Sequence, residues 1–217
     1  MARDWAEWHR AYADPDSELS QRLRVVTRAI VEVLDAAPPG PIRVLSLCAG
    51  EARDLSGAAA AHRRAGDVTG CAVELSAGLA SIAATNLRDA GTSMETRRAN
   101  AGRSVHWLDV TPVDLLLLAG IFGNLTDSDA QRTVMAVPTI VRPGGTVIWT
   151  RHRRDGDLTP ALREWFGEAG FVSTAFISPA DGTYAVGVER NEHLGDGPTV
   201  PEVLFRFVDP VSDGAAR

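Results

Sequence analysis

The stretch from Val113 to Ala119 reads Val-Asp-Leu-Leu-Leu-Leu-Ala, and it constrains the fold more than any other part of the chain. A strand that is apolar on both faces needs one layer of structure above it and another below. That is the condition of a central strand in a parallel sheet covered by helices. A second apolar run, Ile42, Val44, Leu45 and Leu47, is preceded by Pro38, Pro39, Gly40 and Pro41 and followed by Gly50. It reads as the first strand of the same sheet, running into a tight turn and then a helix. Such a turn aims free backbone N–H groups at whatever lies above the sheet edge, where open α/β sheets bind ligands.

The rest of the chain alternates in the same way. Asp14 reads as a helix N-cap with Pro15 at the first helical position, and Leu19, Leu23, Val26, Ile30, Val33 and Leu34 form the apolar face of that helix. An alanine-rich helix is expected over Asp54 to Arg64, ended by Gly66, and then a strand over Val68 to Glu74. Ser76 opens a helix to Ala90, and Met94 to Ala99 is a weaker strand. After the central strand come a loop holding Gly120, Phe122, Gly123 and Asn124, and a helix from Asp127 or Ser128 towards Val141 that Pro138 should bend or shorten. Arg142-Pro143-Gly144-Gly145 turns the chain into a strand over Thr146 to Arg151, ending in His152. Thr159-Pro160 starts another helix, and Phe171 to Ile177 and Thr183 to Glu189 form a terminal strand pair about a turn at Asp181-Gly182. The apolar run Val203 to Val208 has no assigned role.

Composition narrows the function classes. At 217 residues the chain suits a single domain, residues 1–217, with an N-terminal helical part over 1–37, a core over 42–190 and a tail over 191–217. With 22 basic against 28 acidic side chains and only one short basic run, Arg151 to Arg154 interrupted by His152, neither nucleic acid nor a membrane surface is expected as partner. All the basic residues are arginine, which excludes Schiff-base chemistry and a lysine-bearing phosphate loop. Cys48 and Cys71 lie in apolar strand-like surroundings without zinc-type spacing, so reduced thiols and no metal are expected. No apolar segment has membrane-spanning length or the form of a leader, which gives a cytoplasmic expectation.

The order of these segments resembles the class I S-adenosylmethionine-dependent methyltransferases over roughly Ile42 to Arg190. The resemblance rests on Val44-Leu45-Ser46-Leu47-Cys48-Ala49-Gly50-Glu51-Ala52-Arg53-Asp54 as the first motif and on Glu74 after the second strand. Ala99-Asn100-Ala101, Val113 to Leu118 and Arg142-Pro143-Gly144-Gly145 complete it. It implies an α/β, Rossmann-like, doubly wound seven-stranded sheet, mostly parallel with one antiparallel edge strand, plus N-terminal helices. It further implies S-adenosyl-L-methionine as cofactor, bound by Cys48, Ala49, Gly50, Glu51, Asp54, Glu74, Leu75, Asn100, Ala101, Ala119 and Gly120. The family has an acid where Ser46 stands and glycines where Cys48 and Ala52 stand; Glu51 or Asp54 is the candidate replacement for the missing acid.

Methyl transfer from a sulfonium is an in-line displacement needing alignment and a dry pocket, with a base only where the nucleophile holds its proton tightly. Candidate catalytic groups are His152, His9 and Tyr12. Trp5, Trp8, Phe122, Asn124 and Trp149 are candidates for lining a substrate pocket, with the Trp5, Trp8, His9 and Tyr12 stripe forming either a lid or a docked apolar face. The expected activity is methylation of N or O on a small molecule of specialised metabolism. A second copy of the chain, as a homodimer, is the one macromolecular partner left open. Two other readings stand beside it: a non-catalytic binding or regulatory subunit of the same fold, and a NAD-dependent oxidoreductase, against which the single glycine between Cys48 and Arg53 argues.

Overall fold

The computed structural model describes residues 12–154, 156–180, 182–193 and 197–208. Trp5, Trp8 and His9 lie outside the described residues. The elements follow in the order α1 (Glu18–Ala36), β1 (Ile42–Leu47), α2 (Arg53–Ala59), β2 (Val68–Glu74), α3 (Ala77–Asp89), β3 (Ser93–Arg98), β4 (Val113–Leu118), α4 (Asp127–Ile140), β5 (Val141–His152), α5 (Thr159–Glu168), β6 (Phe171–Ile177) and β7 (Tyr184–Asn191). The seven strands form one sheet in the order β3-β2-β1-β4-β5-β7-β6. It is parallel apart from β7, which runs against β5 on one side and β6 on the other.

The apolar character of β4 on both faces is used as the sequence requires. Leu116 and Leu118 pack into one core with Val134 and Val137 of α4 and Leu162 and Phe166 of α5. Leu115 and Leu117 pack into a second core on the opposite face, with Ile30 and Leu34 of α1, Leu55 of α2 and Leu87 of α3. The sheet is therefore wound with helices on both sides, and the strand order reverses between β1 and β4.

Several boundaries differ from the sequence expectation. The cap of α1 is Ser17, whose hydroxyl accepts from Ser20 N at 3.1 Å; Asp14 instead accepts from Asp16 N at 2.9 Å in a local turn. Helix α2 stops at Ala59 instead of Arg64, and Gly66 falls in a later 3-10 turn. What competes with helix there is Arg64, whose guanidinium donates to the carbonyls of Ala37, Pro38 and Gly40 and ties the segment to the loop before β1. Ala61, at φ 74°, turns the chain. Helix α4 continues past Pro138 to Ile140. Arg142 to Gly145 is an excursion inside β5 rather than a turn before it. Val113 pairs with Val141 but Leu115 with Thr146, so the four residues bulge out while the strand resumes. Among the described residues no helix is long and apolar enough to cross a membrane.

Candidate functional site

The C-terminal ends of β1, β2, β4 and β5 open onto one cavity of about 890 Å³ at the reversal of strand order. This is towards the upper end of the range of roughly 300–1,000 Å³ occupied by small-molecule sites. α1 closes one side through Glu18, Arg22, Leu23 and Val26, and Val203, Phe205, Arg206 and Phe207 close another.

The floor is the turn after β1. Cys48, Gly50 and Ala52 have φ values of 54°, 57° and 53°, so three alternate residues are left-handed and only the middle one is glycine. A side chain in that region costs on the order of 1–2 kcal/mol. The conformation is held from outside. Ala49 N donates to Val73 O at 3.0 Å, and Gly50 N donates to Glu74 Oε2 at 2.9 Å. The other oxygen of Glu74 accepts from Ser76 N at 2.8 Å. Glu74, 9% exposed, thus ties the turns after β1 and β2 together and faces the cavity.

The remaining acids near this turn are placed differently. Glu51 is ion-paired with Arg53, and its carbonyl accepts from Asn86 Nδ2 at 2.9 Å. Asp54 accepts from Leu55 N at 2.8 Å, and burial holds its carboxyl above the usual carboxylate range despite the opposing pull of its backbone hydrogen bonds and of Arg22. Burial lowers Arg22 from the ordinary guanidinium value, while Tyr12, Glu18, Tyr184 and Asp54 favour its charge. Tyr12 has the Arg53 guanidinium 5.1 Å above its ring, and burial pushes its phenol up to about 12. Its phenol is therefore neutral at neutral pH. Burial, with Glu74 close by, also pushes the Cys48 thiol well up, so it is an inert small group here.

At the other end Gly120 N donates to Thr150 Oγ1 and Asn124 Nδ2 donates to Gly120 O, both at 2.8 Å. Arg151 and His152 follow on β5. A Cβ built on Gly123 would lie 2.8 Å from His152 Cδ2, 3.1 Å from its Nε2 and 3.8 Å from Arg151 Nη1, so ring and guanidinium meet at one point. Arg154 forms an ion pair with Glu18 across the cavity mouth.

Of the residues singled out from sequence, Tyr12, Cys48, Ala49, Gly50, Glu51, Asp54, Glu74, Leu75, Asn100, Ala101, Ala119, Gly120, Asn124 and His152 all line this cavity. Phe122 and Trp149 do not. Both side chains are fully buried in the core, 6.2 Å apart edge to face, with Trp149 stacked on Phe166 and its indole N–H donating to Glu189 at 3.1 Å. The pleat of β5 turns Trp149 inward, and Phe122 sits in a 3-10 turn beyond β4 with its ring in the core. Among the described residues no group of three His, Cys, Asp or Glu side chains could hold a metal ion.

No sequence family matches the chain, and neither does any curated protein. Solved structures do match. The CurJ carbon methyltransferase superposes with a TM-score of 0.62 at 17% identity over 84% of this chain, which spans 57% of that protein. The Burkholderia thailandensis 1,6-didemethyltoxoflavin-N1-methyltransferase, solved with 1,6-didemethyltoxoflavin and S-adenosylhomocysteine bound, gives 0.55 at 18% over 87% of both chains. The [4+2]-cyclase SpnF gives 0.56 at 15%, covering 82% of this chain and 85% of that one. The fold is that of the class I methyltransferases.

The residues present fit what this class I methyltransferase fold uses for its cofactor. Glu74 can accept from ribose hydroxyls, and the left-handed backbone at Cys48 and Ala52 is the one that glycines would adopt. Ser46 is buried, 3% exposed, and supplies no charge. Asn100 Oδ1 accepts from Gly102 N at 2.9 Å, and an amide oxygen has a second lone pair.

Three parts of the site were missed in the sequence. Arg22 and Arg151 line the cavity from α1 and β5, and the tail forms a wall with Val203, Phe205, Arg206 and Phe207. The tail is fixed by Ser104 N to Glu202 O at 3.0 Å, Leu204 N to Gly102 O at 2.7 Å and Val208 N to Asn124 O at 2.9 Å. Its apolar run was the only available signal.

Proposed function

We propose that the chain is an S-adenosylmethionine-dependent methyltransferase acting on N or O of a small molecule. The observation that carries this is Glu74, locked by two backbone amides at the end of β2 and facing the cavity beside the left-handed turn of β1. The cofactor, when bound, supplies a methyl group made electrophilic by its sulfonium. The chain supplies the rest: Glu74 and Asn100 orient the nucleoside, and Asp54 or Glu51 stands in for the acid absent at Ser46. α1 and the tail exclude water from the reacting end. His152 stands near the ends of β4 and β5, where an acceptor proton can be taken up at Nε2, and Tyr12 offers a hydroxyl without changing charge.

Calorimetric titration with S-adenosylhomocysteine tests the reading. Micromolar binding is expected, with Glu74→Gln weakening it about tenfold or more, the usual effect of losing a charged hydrogen-bond acceptor. Absence of binding to S-adenosylhomocysteine sinks the proposal, and tight binding of NAD instead turns it towards an oxidoreductase. A second reading, a protein of this fold that does not transfer methyl groups, is favoured by the departures at Ser46, Cys48 and Ala52 and by the likeness to a protein named as a cyclase. It predicts cofactor binding without consumption in the presence of any acceptor.

A further inference from the structure

The sign of the cavity differs from that of the protein. The chain carries a net charge of −6, yet the described residues lining the cavity include six arginines against four carboxylates. The cofactor proposed above does not account for this excess, because a sulfonium, an ammonium and one carboxylate leave it a net cation. Something else in the site should be negative.

Which arginine is left to meet it follows from the partners. Arg53 pairs with Glu51, Arg103 with Glu202 and Arg154 with Glu18. Arg22 lies in the field of Asp54 and Glu18, and Arg206 has an exposed side chain. Arg151 is different. It is only 8% exposed, and its Nη1 and Nη2 donate to the neutral carbonyls of Phe122 at 2.7 Å and Gly156 at 3.2 Å. Its Nε has no hydrogen-bond partner, and no carboxylate of the described residues pairs with it. The acids that act on it from a distance are Asp127 and Asp157, and Asp157 is itself engaged by Arg153 at 2.7 Å and by Thr159. A guanidinium stays charged in a protein, and a buried charge without a counterion is costly. His152 beside it also keeps a buried Nδ1 without a partner. These two residues lie at the end of β5, three strand positions from Glu74 on β2, which is roughly 14 Å at the spacing of neighbouring strands. That places them beyond the cofactor's ribose end.

We propose that the acceptor is a small organic anion, anchored through a carboxylate or phosphate by Arg151 with His152 beside it, while a separate N or O atom receives the methyl group. The anchor is distinct from the nucleophile, since a guanidinium bound to the attacking oxygen would hold back the electron pair it must donate. The inference rests on the methyltransferase reading for the word acceptor, but the anion site stands on the geometry alone.

The test is calorimetry on the whole protein with benzoate, phenyl phosphate and neutral benzamide, in saturating S-adenosylhomocysteine so that the cofactor's own carboxylate position is filled. Benzoate or phenyl phosphate should bind at least about tenfold more tightly than benzamide, and whichever is tighter tells carboxylate from phosphate. Arg151→Gln should abolish that preference with S-adenosylhomocysteine affinity kept within about twofold, and Arg151→Lys should retain part of it. If Arg151→Gln does not fold, the comparison of benzoate with benzamide on the unaltered protein still decides. Equal binding of the charged and neutral probes, or none by either, overturns the proposal. So does anion binding that disappears when S-adenosylhomocysteine is present, which would assign Arg151 to the cofactor's carboxylate. Should S-adenosylhomocysteine itself not bind, the methyltransferase reading fails by that measurement, and the same probes without it still read the anion site.

Discussion

Asp54 is pulled in two directions. Burial favours its protonated form, while Arg22 and a cationic ligand group would favour the ionised one. A folded-state pKa raised above the unfolded value of about 3.9 means that the fold tolerates Asp54 best below that pH. That tolerance is lost as pH rises through the folded pKa. Asp54→Asn should therefore melt at a higher temperature than the parent at pH 8, with the advantage vanishing near pH 4. The same variant should bind S-adenosylhomocysteine about tenfold more weakly if Asp54 faces the cofactor's ammonium. Unchanged affinity would hand that role to Glu51, which is held by Arg53. The residue scale is also where sequence was most informative about the site. Glu74 and Gly50 were found because an acid at a strand end and a glycine at a turn have few other uses there. Cys48 and Ala52 gave no sign of their left-handed backbone, since neither residue type prefers it. Arg151 was hidden in a basic run that reads equally well as a solvated loop.

The strands were legible because their patterns are strong, and their ends were not. In β5 the residues from Val147 to Thr150 are all buried, so a period of two leaves no mark by which to tell which side chain meets the cavity and which the core. Trp149 goes to the core because β7 makes room for it: a Cβ on Gly187 would lie 2.2 Å from Trp149 Cε2 and 2.3 Å from Nε1. Trp149 has no slack to yield, being stacked on Phe166 with ring centroids 6.0 Å apart and hydrogen-bonded to Glu189. Gly187→Ala should therefore cost about 2–3 kcal/mol in urea unfolding, as overpacking in a filled core does. The protein that remains folded should keep its affinity for S-adenosylhomocysteine, because Gly187 lies away from the cavity. A neutral effect on stability would mean that the indole can move, and with it the packing that keeps Trp149 out of the site. The short α2 has the same lesson in reverse. Alanine content favours helix to Arg64, but the three carbonyls held by Arg64 belong to residues 24–27 positions earlier, and no local pattern encodes such a tie.

Across the whole molecule, the site is completed by pieces from both ends of the chain. Tyr12, Glu18 and Arg22 come from the beginning and Val203, Phe205, Arg206 and Phe207 from near the end, whereas the strand ends and the loops after them supply the floor and the far side. The tail's role rests on pairings about a hundred positions apart, such as Arg103 with Val203 and Leu204 with Gly102, which is why an apolar run could be noticed but not placed. Two residues of the tail, three positions apart, separate its duties. Leu204 is fully buried in the core, so Leu204→Ala should cost about 2–4 kcal/mol of stability, as truncation of a buried leucine does. Phe207 is half-buried, stacked on Phe205 with centroids 5.9 Å apart, and lines the cavity. Phe207→Ala should leave the melting temperature within a few degrees, yet weaken S-adenosylhomocysteine binding by about fivefold to tenfold through lost apolar contact and admitted water. Measured together by thermal unfolding and calorimetry, the two variants should move opposite quantities. If Phe207→Ala lowers stability as much as Leu204→Ala and leaves affinity unchanged, the tail is a strap on the core and the cavity is walled without it.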